Sequence, residues 1–141
     1  MKYTLKLCAV LMVVWCNIAF AGSFTDNGNG IVTDNMTGLI WQKQDDGITR
    51  TWGQGLSYCE ALILDNFSDW RLPNIKELSS LVDDSRYSPT INPVFTNAKS
   101  GWYWSSTTHA YSTGSAWFVS FEIGDTNGIY KENGNYVRCV R

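Results

Sequence analysis

Chemistry in this 141-residue chain would have to come from few groups: four cysteines, one histidine and two adjacent pairs of carboxylates. The cysteines are Cys8, Cys16, Cys59 and Cys139, and the histidine is His109. No Cys-x-x-Cys or His-x-x-x-His spacing exists, and His109 is far in sequence from Cys59 and Cys139, so no metal site is expected. Ser105 and Ser106 have only His109 nearby as a base, which is strand–loop proximity and not a triad. Asp45-Asp46 and Asp83-Asp84 fall in polar segments and read as solvated charges. No glycine loop stands beside a helix to cradle a phosphate. Asp26, Asn27, Asn29 and Asp34 are calcium-ligand types, but the glycine placement departs from an EF-hand loop and no Glu closes it. Turn chemistry accounts for them. The sequence therefore argues against an enzyme, and no cofactor is expected.

The compartment decides what the cysteines do. Lys2 and Lys6, the apolar run Leu7 to Trp15 and the small-x-small motif Ala19-Phe20-Ala21 read as a secretory signal, residues 1–21. The apolar run is too short to favour a membrane span. Cleavage after Ala21 would leave residues 22–141 as a single domain, exported to the periplasm or cell exterior. Nine basic residues would then face thirteen acidic ones, a net charge of −4, which speaks against nucleic acid as a partner. Cys8 and Cys16 leave with the signal. A Cys59–Cys139 disulfide is the simplest reading in an oxidising compartment.

The elements that would position any site follow from periodicity. Asn27-Gly28, Asn29-Gly30 and the segment Asn35 to Gly38 are turn signals around Ile31-Val32-Thr33 and Leu39-Ile40-Trp41, a hairpin-rich opening. Asp45 to Arg50 is a polar loop. Thr51 and Gln54 form a capping box for a helix whose buried face carries Trp52, Leu56, Cys59, Leu62 and Ile63. Gly53 and Gly55 weaken that helix or let another backbone come close. Trp70 and Leu72 alternate with Asp69 and Arg71 as a half-buried strand, which Pro73 ends. Asn74 and Glu77 then cap a second helix with Ile75, Leu78, Leu81 and Val82 on one face, fading at Asp83-Asp84. Arg71 is expected to form a partly buried ion pair with Asp69, Glu77 or another carboxylate.

The second half reads as strands, Trp102 to Ser106, Ala116 to Phe121, Ile129 to Lys131 and Tyr136 to Val140, with turns at Gly124 to Gly128 and Glu132 to Asn135. Ser85 to Ser100 and Thr107 to Ser115 are the long polar loops between them. Two helices and antiparallel strands make an α+β domain. Most of the six tryptophans after the signal sit in periodic patterns and are expected in the core.

Four stretches carry a family resemblance: Val32 to Trp41, Asp69 to Leu78, Tyr103-Trp104-Ser105-Ser106-Thr107, and Tyr136-Val137-Arg138-Cys139-Val140. In order, they resemble the Lcl C-terminal domain family, named for a bacterial collagen-like adhesin. A weaker similarity extends to formylglycine-generating, sulfatase-modifying domains. The resemblance implies a C-type-lectin-like fold, with two helices packed on antiparallel sheet and one disulfide joining the first helix to the final strand. That pairing agrees with Cys59–Cys139. Trp70, Arg71, Pro73, Asn74, Glu77 and Arg138 are the residues expected in structural roles. The chain lacks the collagen Gly-X-Y repeats, the calcium motifs of sugar-binding C-type lectins, and a spare cysteine pair for formylglycine chemistry.

In such a fold, ligands meet the long loops after the second helix. Arg86, Asn97, Lys99, His109 and Tyr111 are thus the candidate ligand-binding residues, with Tyr87 and Asn92 beside them. The expected function is an exported adhesion-type module that recognises a glycan or a cell-surface protein. The competing expectations are a structural or accessory domain and, behind both, a relative of the formylglycine-generating enzymes. The sequence does not set the oligomeric state.

Overall fold

A computed structural model of the chain describes residues 23–141. Residues 1–21, read above as a secretory signal, and the expected cleavage after residue 21 lie outside the described residues. Strands β1 (Phe24–Gly28), β2 (Ile31–Asp34) and β3 (Ile40–Gln42) form one antiparallel sheet in chain order. Helices α1 (Trp52–Ala61) and α2 (Ile75–Ser79) follow. Strands β4 (Trp102–His109), β5 (Ser112–Ser120) and β6 (Thr126–Tyr130) form a second antiparallel sheet, again in chain order. The architecture is α+β.

The last residues tie the two sheets together. Tyr136 bridges Tyr103 of β4 in parallel, and Val140 bridges both Trp41 of β3 and Arg71. The Cys59–Cys139 disulfide fastens the same segment to α1. Side chains from this segment enter two apolar clusters. One gathers Trp41, Leu78, Leu81, Tyr103, Val119 and Val140; the other gathers Cys59, Trp70, Leu72, Trp104, Phe118 and Val137. Tyr103 and Trp104, adjacent in β4, feed one cluster each, as the two-residue period of a strand requires.

Both capping boxes form. Thr51 and Gln54 start α1, and Asn74 and Glu77 start α2. Gly55 is buried against Val137, where a built Cβ would stand 3.1 Å from its Cγ2. The close neighbour is thus a side chain and not a second backbone.

Several expectations need correction. The helix α1 ends at Ala61 with Leu62 in an extended conformation, so helical spacing no longer applies to Ile63, which is 74% exposed. The helix α2 ends at Ser79, short of Asp83. Ser79 and Ser80 turn their hydroxyls onto the Ile75 and Glu77 carbonyls at 2.7 and 2.6 Å, and Leu81 and Val82 then bond three residues back. Such back-bonding and tightening close a helix early. Trp70 and Leu72 are buried and Asp69 and Arg71 exposed, as alternation requires, but the ladder there is a single bridge through Arg71. The segment read as a loop from Thr107 to Ser115 is mostly strand, turning only at Ala110-Tyr111, and β6 begins at Thr126 inside a predicted turn.

Candidate functional site

The far end of the β4–β5–β6 sheet carries a groove of about 330 Å³. Antiparallel register assembles it: His109 pairs with Ser112, Ser115 with Tyr130, and Trp117 with Gly128. Side chains of directly paired residues share a face. Gly128 sits on a strand, and its missing side chain leaves room for the His109 ring. A Cβ built there would lie 2.9 Å from His109 Cδ2. The imidazole stacks on Trp117 with centroids 5.0 Å apart and planes at 24°. Its Nδ1 is buried without a partner among the described residues.

Polar groups of neutral chemistry complete the lining. Ser112 and Ser115 share a hydroxyl–hydroxyl bond of 3.3 Å. Asn127 accepts the Gly128 N–H through its Oδ1 at 2.8 Å. Tyr130 forms part of the wall and is 68% exposed. Tyr111 stands at the hairpin tip, almost wholly solvated, 6.3 Å from the His109 ring. Among the described residues, no carboxylate, lysine or arginine lines this groove. Hydroxyls, an amide and aromatic rings can bind a neutral polar ligand by hydrogen bonds and stacking.

Of the five residues expected to bind ligand, the structure brings His109 and Tyr111 together. Arg86, Asn97 and Lys99 do not line this groove. They belong to the Ser85 to Ser100 connection, which seals the core more than it opens a site: Thr90, Ile91 and Phe95 are buried, and the Thr90 N–H donates to the Phe121 carbonyl at 2.8 Å. Lys99 lies over Gly47 with its side chain, while its backbone N–H donates to the Tyr103 hydroxyl at 2.9 Å. Sequence reasoning missed Ser112, Ser115, Asn127, Gly128 and Tyr130. The Asn-Gly pair at 127–128 suggested a turn, and only the β5 register shows it to be ladder.

Asp45 needs the sharpest correction. Expected in solvent, it is 3% exposed and ion-paired to the fully buried Arg138 at 2.7 Å. Its Oδ2 also accepts the Tyr103 hydroxyl at 2.8 Å, and its Oδ1 accepts the Gly47 N–H at 3.0 Å. Arg138 donates in addition to the Gln42 and Lys43 carbonyls, both at 2.7 Å. Burial pushes the Tyr103 phenol well above its ordinary value. No local pattern marks Asp45; its partner is 93 positions away.

The other residues assigned structural roles are held as follows. Trp70 is buried and donates its indole N–H to the Phe67 carbonyl at 3.1 Å. The Pro73 carbonyl accepts the Ser106 N–H at 2.7 Å. Arg71 and Glu77 form a two-pronged pair, each bond 2.8 Å, and Glu77 also takes the Asn74 N–H. The Arg71 guanidinium holds the Glu77 carboxyl below its ordinary value. The Arg71 side chain is 48% exposed and the Glu77 side chain 18%, so the partly buried ion pair expected of Arg71 forms, with Glu77 as its partner.

Asp26, Asn27 and Asp34, among the turn residues weighed as calcium ligands, have protein partners. Asp26 pairs with Lys43 at 2.6 Å, and Asp34 holds the turn at Met36 and Thr37. Among known protein families, the model of the Lcl C-terminal domain matches residues 30–141. No curated protein matches the chain.

Proposed function

The chain belongs to the Lcl C-terminal domain family, and from that premise we propose an exported, non-enzymatic binding module that holds a glycan in the groove beside His109. The observation that carries this reading is the groove itself: an imidazole stacked on Trp117, two serine hydroxyls, the Asn127 amide and Tyr130 around one space that no carboxylate, lysine or arginine lines. Sugars present hydroxyls at their edges and C–H groups on their ring faces, which such a lining complements. Export is supported by the Cys59–Cys139 disulfide, a bond suited to oxidising compartments. No helix among the described residues is long and apolar enough to cross a membrane. A C-type-lectin-like assignment is supported by that bond's path from α1 to the closing segment. The exposed rings of Tyr111 and Tyr130 would then meet the glycan chain beyond the groove.

The test is a glycan array with the oxidised chain, followed by calorimetry on any glycan retained. Gly128→Ala should displace the imidazole and weaken binding at least tenfold with the melting temperature kept within a few degrees. Tyr130→Ala and Tyr111→Ala should weaken it severalfold, and Lys99→Ala should leave it unchanged. Added salt should have little effect, because no carboxylate, lysine or arginine lines the groove. An array without a retained glycan, or a glycan indifferent to Gly128→Ala and Tyr130→Ala, would overturn the reading.

A further inference from the structure

A second cavity, of about 180 Å³, opens where the Gly101-Trp102 start of β4 meets Gly134, Asn135 and Tyr136, with Thr49 on its rim. It shares no lining residue with the His109 groove. Backbone bonds fix both walls. Asn135 exchanges two bonds with Arg50, at 2.8 and 3.0 Å, and the Tyr136 N–H donates to the Trp102 carbonyl at 2.9 Å. The Arg50 carbonyl is held further by the Trp104 indole at 2.8 Å.

Three features give this cavity a chemistry. Trp102 is 43% exposed although Phe118 stacks on its ring, with centroids 4.6 Å apart and planes at 21°. One aromatic face is therefore packed, and the residue still fronts the cavity. Asn135 is 3% exposed, yet its Nδ2 has no hydrogen-bond partner among the described residues. A buried amide left unpaired is costly, so a group that meets it gains more than an ordinary surface bond. Gly101 and Gly134 keep the space clear: a Cβ on the first would stand 2.8 Å from the Tyr136 ring, and one on the second 3.3 Å from Thr49 Oγ1.

We propose that this cavity is a second binding site that takes a single neutral pyranose ring. The indole offers a stacking face, Asn135 and Thr49 offer hydrogen bonds, and no charged side chain among the described residues lines the space. The size suits one six-membered ring. A proline-rich peptide needs a longer groove, since its extended helix advances about 3.1 Å per residue and is read over several residues. A uronic acid or sulfated sugar would enter with no cation to meet it.

The test uses amide and side-chain NMR of the oxidised chain, titrated with glucose, galactose, mannose and N-acetylglucosamine. A neutral sugar should shift the Gly101, Gly134 and Asn135 signals with a dissociation constant on the order of 1 mM, as expected for one ring held by a few contacts. Trp102→Leu, which keeps an apolar cover on Phe118, should weaken binding about tenfold. Gly134→Ala, which narrows the rim, should do the same independently. Gly128→Ala should leave this site untouched, so failure here and failure of the His109 groove are told apart. The proposal is overturned if no neutral sugar shifts these signals. It is also overturned if both variants bind as the parent does, or if glucuronate or a proline-rich peptide is preferred.

Discussion

Replacing Asp45 with Asn should expose how far the fold depends on one buried ion pair. Asp45 and Arg138 have side chains 1% and 0% exposed. The carboxylate oxygens accept three bonds, from Arg138, Tyr103 and Gly47. An amide in the same place turns one acceptor into a donor. In one orientation its NH2 opposes Arg138 and the Tyr103 hydroxyl; in the other it opposes the Gly47 N–H. Either way the guanidinium stays buried without a counter-charge, beside the Gln42 and Lys43 carbonyls and the rings of Phe95 and Tyr103, 5.1 and 5.9 Å away. Removing one partner of a buried pair costs about 3–5 kcal/mol. At this chain length that corresponds to a fall in melting temperature of roughly 10–20 °C. Thermal unfolding followed by circular dichroism, in oxidising buffer, measures it. A double-mutant cycle with Arg138→Met isolates the pair: in that background Asp45→Asn should cost less than about 2 kcal/mol. A melting temperature within about 3 °C of the parent would refute the reasoning. So would a cost of Asp45→Asn that is undiminished in the Arg138→Met background.

Other perturbations follow from the same structure. Cys59→Ser opens a cross-link between residues 80 apart, for which chain entropy gives about 4.5 kcal/mol; a large fall in melting temperature and faster proteolysis should result, and unchanged unfolding would contradict it. Glu77 and Asp46 have folded pKa values held below their ordinary 4.5 and 3.8 by Arg71 and Arg50, so their contribution is present above those values and lost as pH falls through the lowered ones. Acid titration of the melting temperature should show that loss, with a shallower slope in Glu77→Gln; because Arg71 is about half exposed, Arg71→Ala should cost only about 1 kcal/mol or less at neutral pH. Tyr103 has its pKa raised above the ordinary 10.0, so the unfolded chain loses that proton first and stability should fall as pH rises past 10. Tyr103→Phe should flatten that alkaline limb, and a limb of unchanged steepness would show that other groups cause it.

How much was legible in advance depended on the range of each interaction. Capping boxes join residues three apart, and Thr51–Gln54 and Asn74–Glu77 were accordingly readable and formed as read. The alternation of buried Trp70 and Leu72 with exposed Asp69 and Arg71 is equally local. The disulfide was readable for a different reason: with the predicted signal removed, only two cysteines remain to pair. Helix ends were less legible, since Ser79 and Ser80 compete for carbonyls in a way the apolar spacing of Leu81 and Val82 conceals.

Sequence alone determined the starts of both helices, the α+β class and the candidacy of His109 and Tyr111. The tertiary structure decided where charges and grooves lie. Asp45 looks like half of a solvated acidic pair until Arg138 arrives from the far end of the chain and buries it. Gly128 looks like a turn until the β5 register sets it opposite Trp117, where the absence of a side chain admits His109. The physical reason is common to both. Local sequence governs backbone conformation within a few residues, whereas burial and cavity shape depend on which distant side chains the sheet register brings together.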